Sequence, residues 1–285
     1  MESENEEENM SEWKLWNAQN VRDSFAIPIP SDDKYSRGVL GAITGSRQYP
    51  GAGVLSCSAA VETGVGLLRY LGPRYVENFV LAKNPEVVFM VGRVNSWLIG
   101  SGLNPRALSW QRRRYIKSAC QSGQPLCLDA GALIFVELAK GPTIITPHFR
   151  ELAALLGGRN IATSLEEISD NPKKWAALAA TQLGVTVLLK GNISVVASQD
   201  ELIEMPAATP WLSTAGTGDV LAGIVGALMA TNSKRIDEKE ISLAAIAAAA
   251  IYIHSSAADL ALREGPITAS DVAKKISQSI AELLN

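Results

Sequence analysis

Short apolar segments alternate with longer amphipathic or alanine-rich segments along most of the chain. Brief apolar runs bounded by glycine or polar residues are typical of buried strands. Such runs occupy residues 38–45, 97–100, 126–129, 143–146, 185–189 and 193–197. Helical spacing is predicted over residues 52–67, 105–122, 147–156, 173–183, 219–230, 241–262 and 269–284. This alternation indicates an α/β fold with a mostly parallel sheet and helices on both faces.

The pattern predicts one domain after a short tail. No internal repeat or linker interrupts residues 13–285, whereas residues 1–12 contain six glutamates and no apolar period. We therefore expect a disordered acidic tail followed by a single domain. The acidic start is unlike a signal peptide, and the apolar run at 243–253 is too short to span a bilayer. Together these features predict a soluble, cytoplasmic protein without a membrane partner.

Composition narrows the functional classes further. The chain has 26 Lys and Arg against 29 Asp and Glu, with no basic stripe, which argues against nucleic acid as a partner. Apolar residues make up 47% of the chain, enough for a large core. Cys57, Cys120 and Cys127 lack metal-ligand spacing with either histidine, so we expect buried, reduced thiols.

The segment at 214–219 is the first candidate for chemistry. It is a loop of small residues that ends in Asp219 and opens an apolar helix. The unpaired amides and the dipole at a helix start favour phosphate. Gly216 and Gly218 would allow close backbone approach and positive φ angles, and Asp219 would serve as a base beside the phosphate. The alternative is an aspartate that only caps the helix.

Other polar motifs follow predicted strands, where ligands bind in parallel sheets. Residues 146–151 place His148 at a helix start, where a neutral imidazole is favoured, and Glu151 one turn further, where it could hold hydrated magnesium. Lys190 ends a strand and could reach a phosphate, although a hairpin turn explains it equally well. Small residues at 49–53 would let a ligand touch the backbone, although a tight turn into a helix is the favoured interpretation. His254 is interpreted as a structural residue in an alanine-rich helix.

In this order the motifs resemble those of the ADP/ATP-dependent (S)-NAD(P)H-hydrate dehydratases, which belong to the ribokinase-like superfamily. The matching stretches are KYSRG at 34–38, GSRQYPGA at 45–52, GSGL at 100–103, LDAGAL at 128–133, ITPHFRE at 145–151, LKG at 189–191 and TAGTGDVLAG at 214–223. The family usually has proline where this chain has Ser101, and often aspartate where it has Gly131. The resemblance implies a three-layer α/β/α sandwich with a mostly parallel central sheet.

The resemblance also implies an activity, a hydro-lyase reaction that repairs nicotinamide cofactors. ADP, or ATP, phosphorylates the hydroxyl of NAD(P)H hydrate, and loss of phosphate restores NAD(P)H. Asp219 would be the catalytic base, and Glu151 would lie near Mg²⁺. The implied hydrate-binding residues are Ala52, Gly102, His148 and Asp219. The implied nucleotide-binding residues are Lys190, Gly191, Asn192, Ile193, Ser194 and Gly218. The implied phosphate loop is Gly216, Thr217 and Gly218.

Relatives of this family are commonly tetramers, so a homotetramer is expected. Some relatives carry an epimerase domain before the dehydratase domain, and the few residues before Lys34 predict a stand-alone dehydratase. The main alternative is a small-molecule kinase of the same superfamily that acts on a sugar or vitamin alcohol, since it would need the same loop. A binding module without turnover is the third possibility, and the intact Asp219 argues against it.

Overall fold

A computed structural model describes residues 13–161 and 163–285, and the predicted acidic tail lies outside these residues. The strands are β1 Lys14–Leu15, β2 Val39–Ile43, β3 Leu67–Tyr70, β4 Ser96–Ile99, β5 Leu126–Leu128, β6 Thr143–Ile145, β7 Thr186–Leu189, β8 Val195–Ala197 and β9 Leu202–Glu204. They form one nine-stranded sheet in the order β1-β9-β8-β7-β6-β5-β4-β2-β3. All neighbours run parallel except β8, which is antiparallel to β7 and β9.

Helices cover both faces of this sheet. The helices are α1 Ala18–Asp23, α2 Pro50–Glu62, α3 Arg74–Lys83, α4 Trp110–Cys120, α5 Phe149–Gly157, α6 Leu165–Asp170, α7 Pro172–Leu183, α8 Thr217–Thr231, α9 Ser233–Asp237, α10 Leu243–Leu262 and α11 Ala269–Leu284. Three 3₁₀ segments lie at Pro105–Ala107, Ala130–Leu138 and Pro210–Leu212. The mostly parallel sheet with helices on both faces, which the alternation predicted, is confirmed.

Successive strand residues enter two separate cores. Ile144 and Leu188 belong to the core beneath α2, α8, α10 and α11, whereas Ile145 and Leu189 belong to the core beneath α4, α5, α6 and α7. All four side chains are fully buried. Burial on both faces explains why the predicted strands are continuous apolar runs rather than alternating ones.

One predicted helix is too long. The helix expected at 52–67 begins at Pro50 and ends at Glu62, and β3 starts at Leu67. Gly64 adopts a φ of +91°, which breaks the helix because that region suits glycine. Leu67 and Leu68 then pair with β2. The strands and α-helices that the pattern did not predict are β1, β3, β9, α1, α3, α6 and α9, and it also missed the 3₁₀ segments at Ala130–Leu138 and Pro210–Leu212.

The helix predicted over the basic segment 105–122 is divided and only partly exposed. It divides into a 3₁₀ turn and α4, whose Ile116 is fully buried. The Arg112 guanidinium donates from Nη1 to the carbonyl oxygen of Leu71 at 2.6 Å. Arg112 therefore joins α4 to the chain segment that follows β3, whereas Arg113, Arg114 and Lys117 are exposed to solvent.

Helix α10 lies within the core. Among the described residues it alone is long and apolar enough to cross a bilayer, by length and composition only. Within its most apolar window, 67% of the residues are buried inside the protein. Core helices pass the same test, and α10 packs against α8, α11 and strand β7. The cysteines Cys57, Cys120 and Cys127 are likewise buried and free of disulfides.

Candidate active site

The carboxyl ends of four neighbouring strands meet in one buried polar network. Asp129, which follows β5, is 2% exposed. Its Oδ1 accepts from Lys190 Nζ at 2.9 Å and from Thr146 Oγ1 at 2.8 Å. Its Oδ2 accepts from Ser101 Oγ at 2.8 Å. A buried carboxylate needs such partners. The Asp129 carboxylate in turn holds the ammonium group of Lys190, which lies at the end of β7.

Both departures from the family pattern lie around Asp129. Ser101 supplies the third hydrogen bond to its carboxylate. At Gly131, a β-carbon would stand 2.2 Å from the carbonyl oxygen of Leu103, so the backbone here has no space for a side chain. In this conformation position 131 has no space for the aspartate of the family pattern, and the Ser101 hydroxyl helps to satisfy Asp129. Asp129 itself was not among the predicted site residues, although it directly follows an apolar strand.

His148 and Glu151 form a reciprocal cap at the start of α5. The Glu151 amide donates to His148 Nδ1 at 3.2 Å, and the His148 amide donates to Glu151 Oε2 at 2.9 Å. Because Nδ1 accepts, a neutral ring carries its proton on Nε2. The His148 side chain is 51% exposed, and Glu151 Oε2 lies 3.9 Å from Lys190 Nζ. The imidazole can therefore donate to a ligand from Nε2.

Helix α5 starts two residues later than the sequence predicted. His148 is the N-cap, and Phe149, rather than Pro147, is the first helical residue. The Pro147 carbonyl accepts from the Lys190 amide at 2.9 Å, which extends the pairing of β6 with β7 as far as His148. This extension brings His148 and Lys190 side by side.

The loop before α8 leaves the helix start open. Gly216 is the N-cap with a φ of +94°, and no side chain caps the helix. Asp219 is the third helical residue, so the expectation that it only caps α8 is wrong. Gly218 is helical rather than left-handed, contrary to the positive φ expected there. The first amides of α8 are therefore available to an anion.

Asp219 is a carboxyl group whose pKa is raised by burial. Its side chain makes no hydrogen bond or ion pair within residues 13–161 and 163–285, and burial raises its pKa to about 7, with a smaller contribution from Asp129. Lys190 opposes this rise. Burial lowers the pKa of Lys190, but Asp129, Glu151 and Asp219 outweigh burial, so its pKa is raised. Lys190 is thus a cation beside a carboxyl group that titrates near neutral pH.

Most predicted nucleotide residues line one cavity of about 720 Å³, which is within the usual range for ligand sites. The predicted residues that line it are His148, Lys190, Gly191, Asn192, Ser194 and Thr217. Its remaining wall includes the apolar side chains of Leu212, Leu221 and Ile251. The cavity therefore combines an end that carries the Lys190 cation with an apolar wall.

Ile193 is not part of this cavity. Its side chain is 43% exposed and lines a neighbouring concavity together with Trp13 and Lys173. The structure thus separates the Ile193 side chain from the other residues of the segment 190–194.

The predicted hydrate residues Ala52 and Gly102 meet where β2 lies between β3 and β4. A β-carbon on Gly102 would stand 2.5 Å from Ala52 Cβ, so the loop after β4 touches the first turn of α2. The same helix supports the phosphate loop, because a β-carbon on Gly216 would stand 2.6 Å from Leu55 Cδ1. Ligands of α/β sheets bind where neighbouring strands connect in opposite directions.

Sequence reasoning missed a further side chain in the cavity. His254 of α10 lines the cavity and is 7% exposed. Its Nε2 is buried and lacks a hydrogen-bond partner within the described part of the chain. An isolated histidine in an alanine-rich helix gives no signal of this position, since the other walls of the cavity come from distant segments.

Comparisons with known proteins identify the family and the fold of the chain. The profile of the NAD(P)H-hydrate dehydratase family matches residues 40–281. The bifunctional NAD(P)H-hydrate repair enzyme Nnr of Corynebacterium glutamicum is 34% identical over 90% of this chain and 49% of its own length. The ADP-dependent (S)-NAD(P)H-hydrate dehydratase of Neisseria meningitidis is 29% identical over 92% of this chain and 90% of its own. The chain spans about half the length of the bifunctional relatives.

Solved structures show the same fold. The ADP/ATP-dependent NAD(P)H-hydrate dehydratase of Bacillus subtilis, co-crystallised with ATP and Mg²⁺, superposes with a TM-score of 0.82 at 22% identity, covering 96% of this chain and 99% of that one. The ribokinase-like three-layer fold expected from the motifs is confirmed. Since the family profile spans most of the chain, this protein belongs to the NAD(P)H-hydrate dehydratase family.

Proposed function

We propose that this protein is an ADP-dependent (S)-NAD(P)H-hydrate dehydratase. One observation carries the proposal: Asp219 presents an unpaired carboxyl group with a pKa of about 7 at the uncapped start of α8. A base of this kind suits proton removal from a hydroxyl group at neutral pH. The family to which the chain belongs supplies the acceptor, the hydroxyl of hydrated NADH or NADPH.

The reaction has two steps. Asp219 takes the hydroxyl proton of the hydrate as the oxygen attacks the terminal phosphorus of ADP, which leaves AMP and a phosphorylated hydrate. Phosphate is then expelled with a ring proton, and the carbon–carbon double bond of NAD(P)H returns. Phosphorylation is needed because hydroxide leaves poorly. Adding a phosphoryl group to the oxygen converts it into a good leaving group, so a kinase-like site can perform a dehydration.

The nucleotide is proposed to occupy the cavity of about 720 Å³. The amides of Gly216, Thr217 and Gly218 hold the transferring phosphoryl group at the start of α8. Lys190 neutralises phosphate charge, since Asp129 holds its ammonium group at 2.9 Å. The segment from Lys190 to Ser194 follows the rest of the nucleotide. Ile193 contributes its backbone there, because its side chain lines the neighbouring concavity.

The hydrate is proposed to lie against Ala52, Gly102 and His148. Ala52 and Gly102 provide a surface without long side chains at the first turn of α2. His148 donates from Nε2, because its Nδ1 already accepts from the Glu151 amide. These contacts orient the hydroxyl group toward Asp219. Orientation of this kind is a large part of the catalysis of phosphoryl transfer.

Magnesium is proposed to arrive with the nucleotide. Residues 13–161 and 163–285 contain no group of three or more potential metal-ligating side chains. Mg²⁺ commonly uses only one or two carboxylates together with substrate phosphates, so the donors present fit such an ion. Glu151 is the expected protein contact, through water, since Asp129 already accepts three hydrogen bonds. When bound, the ion would neutralise phosphate charge.

The first test is a repair assay. The protein is incubated with (S)-NADH hydrate and ADP, and the absorbance band of the reduced nicotinamide is followed, with ATP and no-nucleotide samples in parallel. We expect the band to return with ADP in amounts equal to the AMP formed. If ADP binds but no nucleotide restores the band, the dehydratase assignment is wrong. Phosphorylation of a sugar or vitamin alcohol under the same conditions would instead favour the small-molecule kinase.

The pH profile of repair is a second prediction. Asp219 accepts a proton only when it is ionised, so activity is lost as pH falls through its pKa of about 7. We expect kcat/KM to fall about tenfold per pH unit on the acid side and to level off above neutrality. An enzyme-free sample at each pH corrects for spontaneous reaction. A profile that stays flat down to about pH 5 would contradict the role of Asp219 as base.

The remaining expectations are proposals of the same kind. We propose a cytoplasmic location, a homotetramer and a single domain over residues 13–285. The cytoplasmic location is supported by the small-molecule chemistry of the family, and the single domain by the continuous sheet that joins the strands from β1 to β9. The homotetramer rests on the family resemblance alone.

A further inference from the structure

A second cavity lies beside the proposed hydrate-binding residues. It has a volume of about 510 Å³, and its walls come from the segments that follow the neighbouring strands β2, β3 and β4. Residues 45–48 form one wall and lead into the first turn of α2, which carries Ala52. Leu103 belongs to another wall and directly follows Gly102. The cavity is therefore at the same edge of the sheet as the active site, where parallel sheets bind ligands.

Arg112 brings a half-buried guanidinium to this cavity. Burial lowers the pKa of Arg112, and nearby groups such as Tyr70 and Glu77 oppose this only in part. The guanidinium donates from Nη1 to the Leu71 carbonyl oxygen, which is its one hydrogen bond within the described part of the chain, and it makes no ion pair there. A guanidinium has five N–H donors, and a buried charge is normally paired. Most donors of Arg112 are thus available to an anion.

Arg47 brings a second guanidinium to the cavity. The carbon of this guanidinium lies 5.2 Å from the centroid of the Tyr75 ring, which also lines the cavity. Stacking on an aromatic ring is favourable for arginine and leaves the N–H donors in its plane free. Among the described residues that line the cavity, Arg47 and Arg112 are the charged ones, and none is Asp or Glu. The cavity is therefore cationic.

Two guanidinium groups without a carboxylate suit a phosphate, because their planar forks of donors match its oxygens. The phosphates of ADP are proposed to lie elsewhere, at Lys190 and the start of α8, and the two cavities share no lining residue. The second substrate also carries phosphate. In a nicotinamide dinucleotide the diphosphate is one ribose away from the nicotinamide ring, and NADPH has a further phosphate on its other ribose. A hydrate whose ring lies against Ala52 and Gly102 would therefore bring phosphate to the neighbouring cavity.

We propose that Arg47 and Arg112 bind a phosphate group of the NAD(P)H hydrate and so anchor the end of the substrate that does not react. The inference rests on the proposed function, in which the nicotinamide ring lies near Ala52. It adds a binding site for the dinucleotide that is separate from the ADP cavity and from Asp219. Its consequence is that the two arginines set the affinity for the hydrate and leave the phosphoryl-transfer step unchanged.

The test measures kcat and KM for (S)-NADH hydrate and (S)-NADPH hydrate at saturating ADP. We expect Arg47→Gln to raise KM about fivefold and Arg112→Lys about tenfold, with kcat within about twofold of the wild type. Lysine keeps the charge but lacks the planar fork of donors. An equal rise for both hydrates assigns the arginines to the diphosphate, whereas a rise for NADPH hydrate alone assigns them to its additional phosphate.

A binding measurement makes the same comparison without turnover. NADH and NADPH are titrated by calorimetry into protein saturated with AMP, so that the ADP cavity is filled. Both variants should lose affinity by about the factor by which KM rises. Arg114→Gln is the matched control, because Arg114 is an exposed arginine of α4 that lies over the Trp110 ring and does not line the cavity. Its KM and affinities should equal those of the wild type.

Several outcomes would overturn the inference. Unchanged KM and affinity in Arg47→Gln and Arg112→Lys would show that no phosphate reaches these residues. A fall in kcat at constant KM would place them in the chemical step. An equal loss in Arg114→Gln would show a general effect of charge. If Arg112→Lys failed to fold, Arg112 would be structural and the paired site would be wrong.

Failure of the proposed function gives a different result. If the wild type repaired neither hydrate with any nucleotide, the proposed function would fail and this inference with it. Normal repair by the wild type together with unchanged variants would remove only the phosphate site.

Discussion

Asp219→Asn is expected to reduce turnover about 10²- to 10⁴-fold while ADP affinity stays within about threefold of the wild type. The amide keeps the size of the side chain but cannot accept the proton of the hydrate hydroxyl. Nucleotide affinity is preserved because the α8 amides and Lys190 are unchanged. Turnover is measured by recovery of the reduced nicotinamide band, and affinity by calorimetry with ADP.

Asp237 provides the matched control for this substitution. It is an exposed aspartate at the end of α9, so Asp237→Asn should retain full turnover. If Asp219→Asn also retained it, another group would have to be the base. If Asp219→Asn lost ADP binding instead, the carboxylate would act in nucleotide recognition rather than in proton transfer.

Gly218→Val is expected to weaken ADP binding about a hundredfold or more, because branched carbons would stand before the amides that hold the phosphoryl group. The protein itself should still fold. A β-carbon at position 218 would meet only Lys190 Nζ, at 3.5 Å, which is an ordinary contact. Calorimetry with ADP measures the loss, and thermal unfolding without nucleotide should show little change.

The control for this variant is a glycine with equal space and no ligand nearby. Gly157 ends α5, and a β-carbon there would meet nothing within 4 Å. Gly157→Val should bind ADP like the wild type. Wild-type affinity in Gly218→Val would mean that the phosphates lie elsewhere, and the phosphate loop would have to be reassigned.

Sequence patterns predicted the fold where local signals were strong. Strands such as β6 and β7 are continuous apolar runs because both faces are buried, and they were found within a residue or two. The edge strand β3 was missed because its leucines continue the apolar content of α2, and only Gly64 marks the break. The strands β1 and β9 are two and three residues long, and each contains a charged residue, so neither forms an apolar run of the kind that marks β6.

The site was predictable to the extent that strand ends converge. Lys190, His148 and the loop at Asp219 lie close together because parallel strands end on one edge of the sheet. The partners of each side chain were not predictable. Lys190 pairs with Asp129 across 61 positions of sequence, and His254 reaches the cavity from a helix whose local sequence carries no polar pattern. Such pairings depend on tertiary packing, and the roles assigned to the individual site residues stay predictions.

The packing of Gly216 against Leu55 bears on how proteins of this fold can act on different acceptor substrates. Leu55 lies one turn beyond Ala52, so α2 contacts both the loop proposed to hold the phosphoryl group and the surface proposed to hold the hydrate. In the proposed mechanism, the distance between the phosphoryl donor and the acceptor hydroxyl group is therefore set by α2 alone and does not depend on the closure of a loop. A different acceptor molecule can be accommodated by substitutions at the surface around Ala52 and Gly102, provided that its reacting oxygen lies at the same distance from α2.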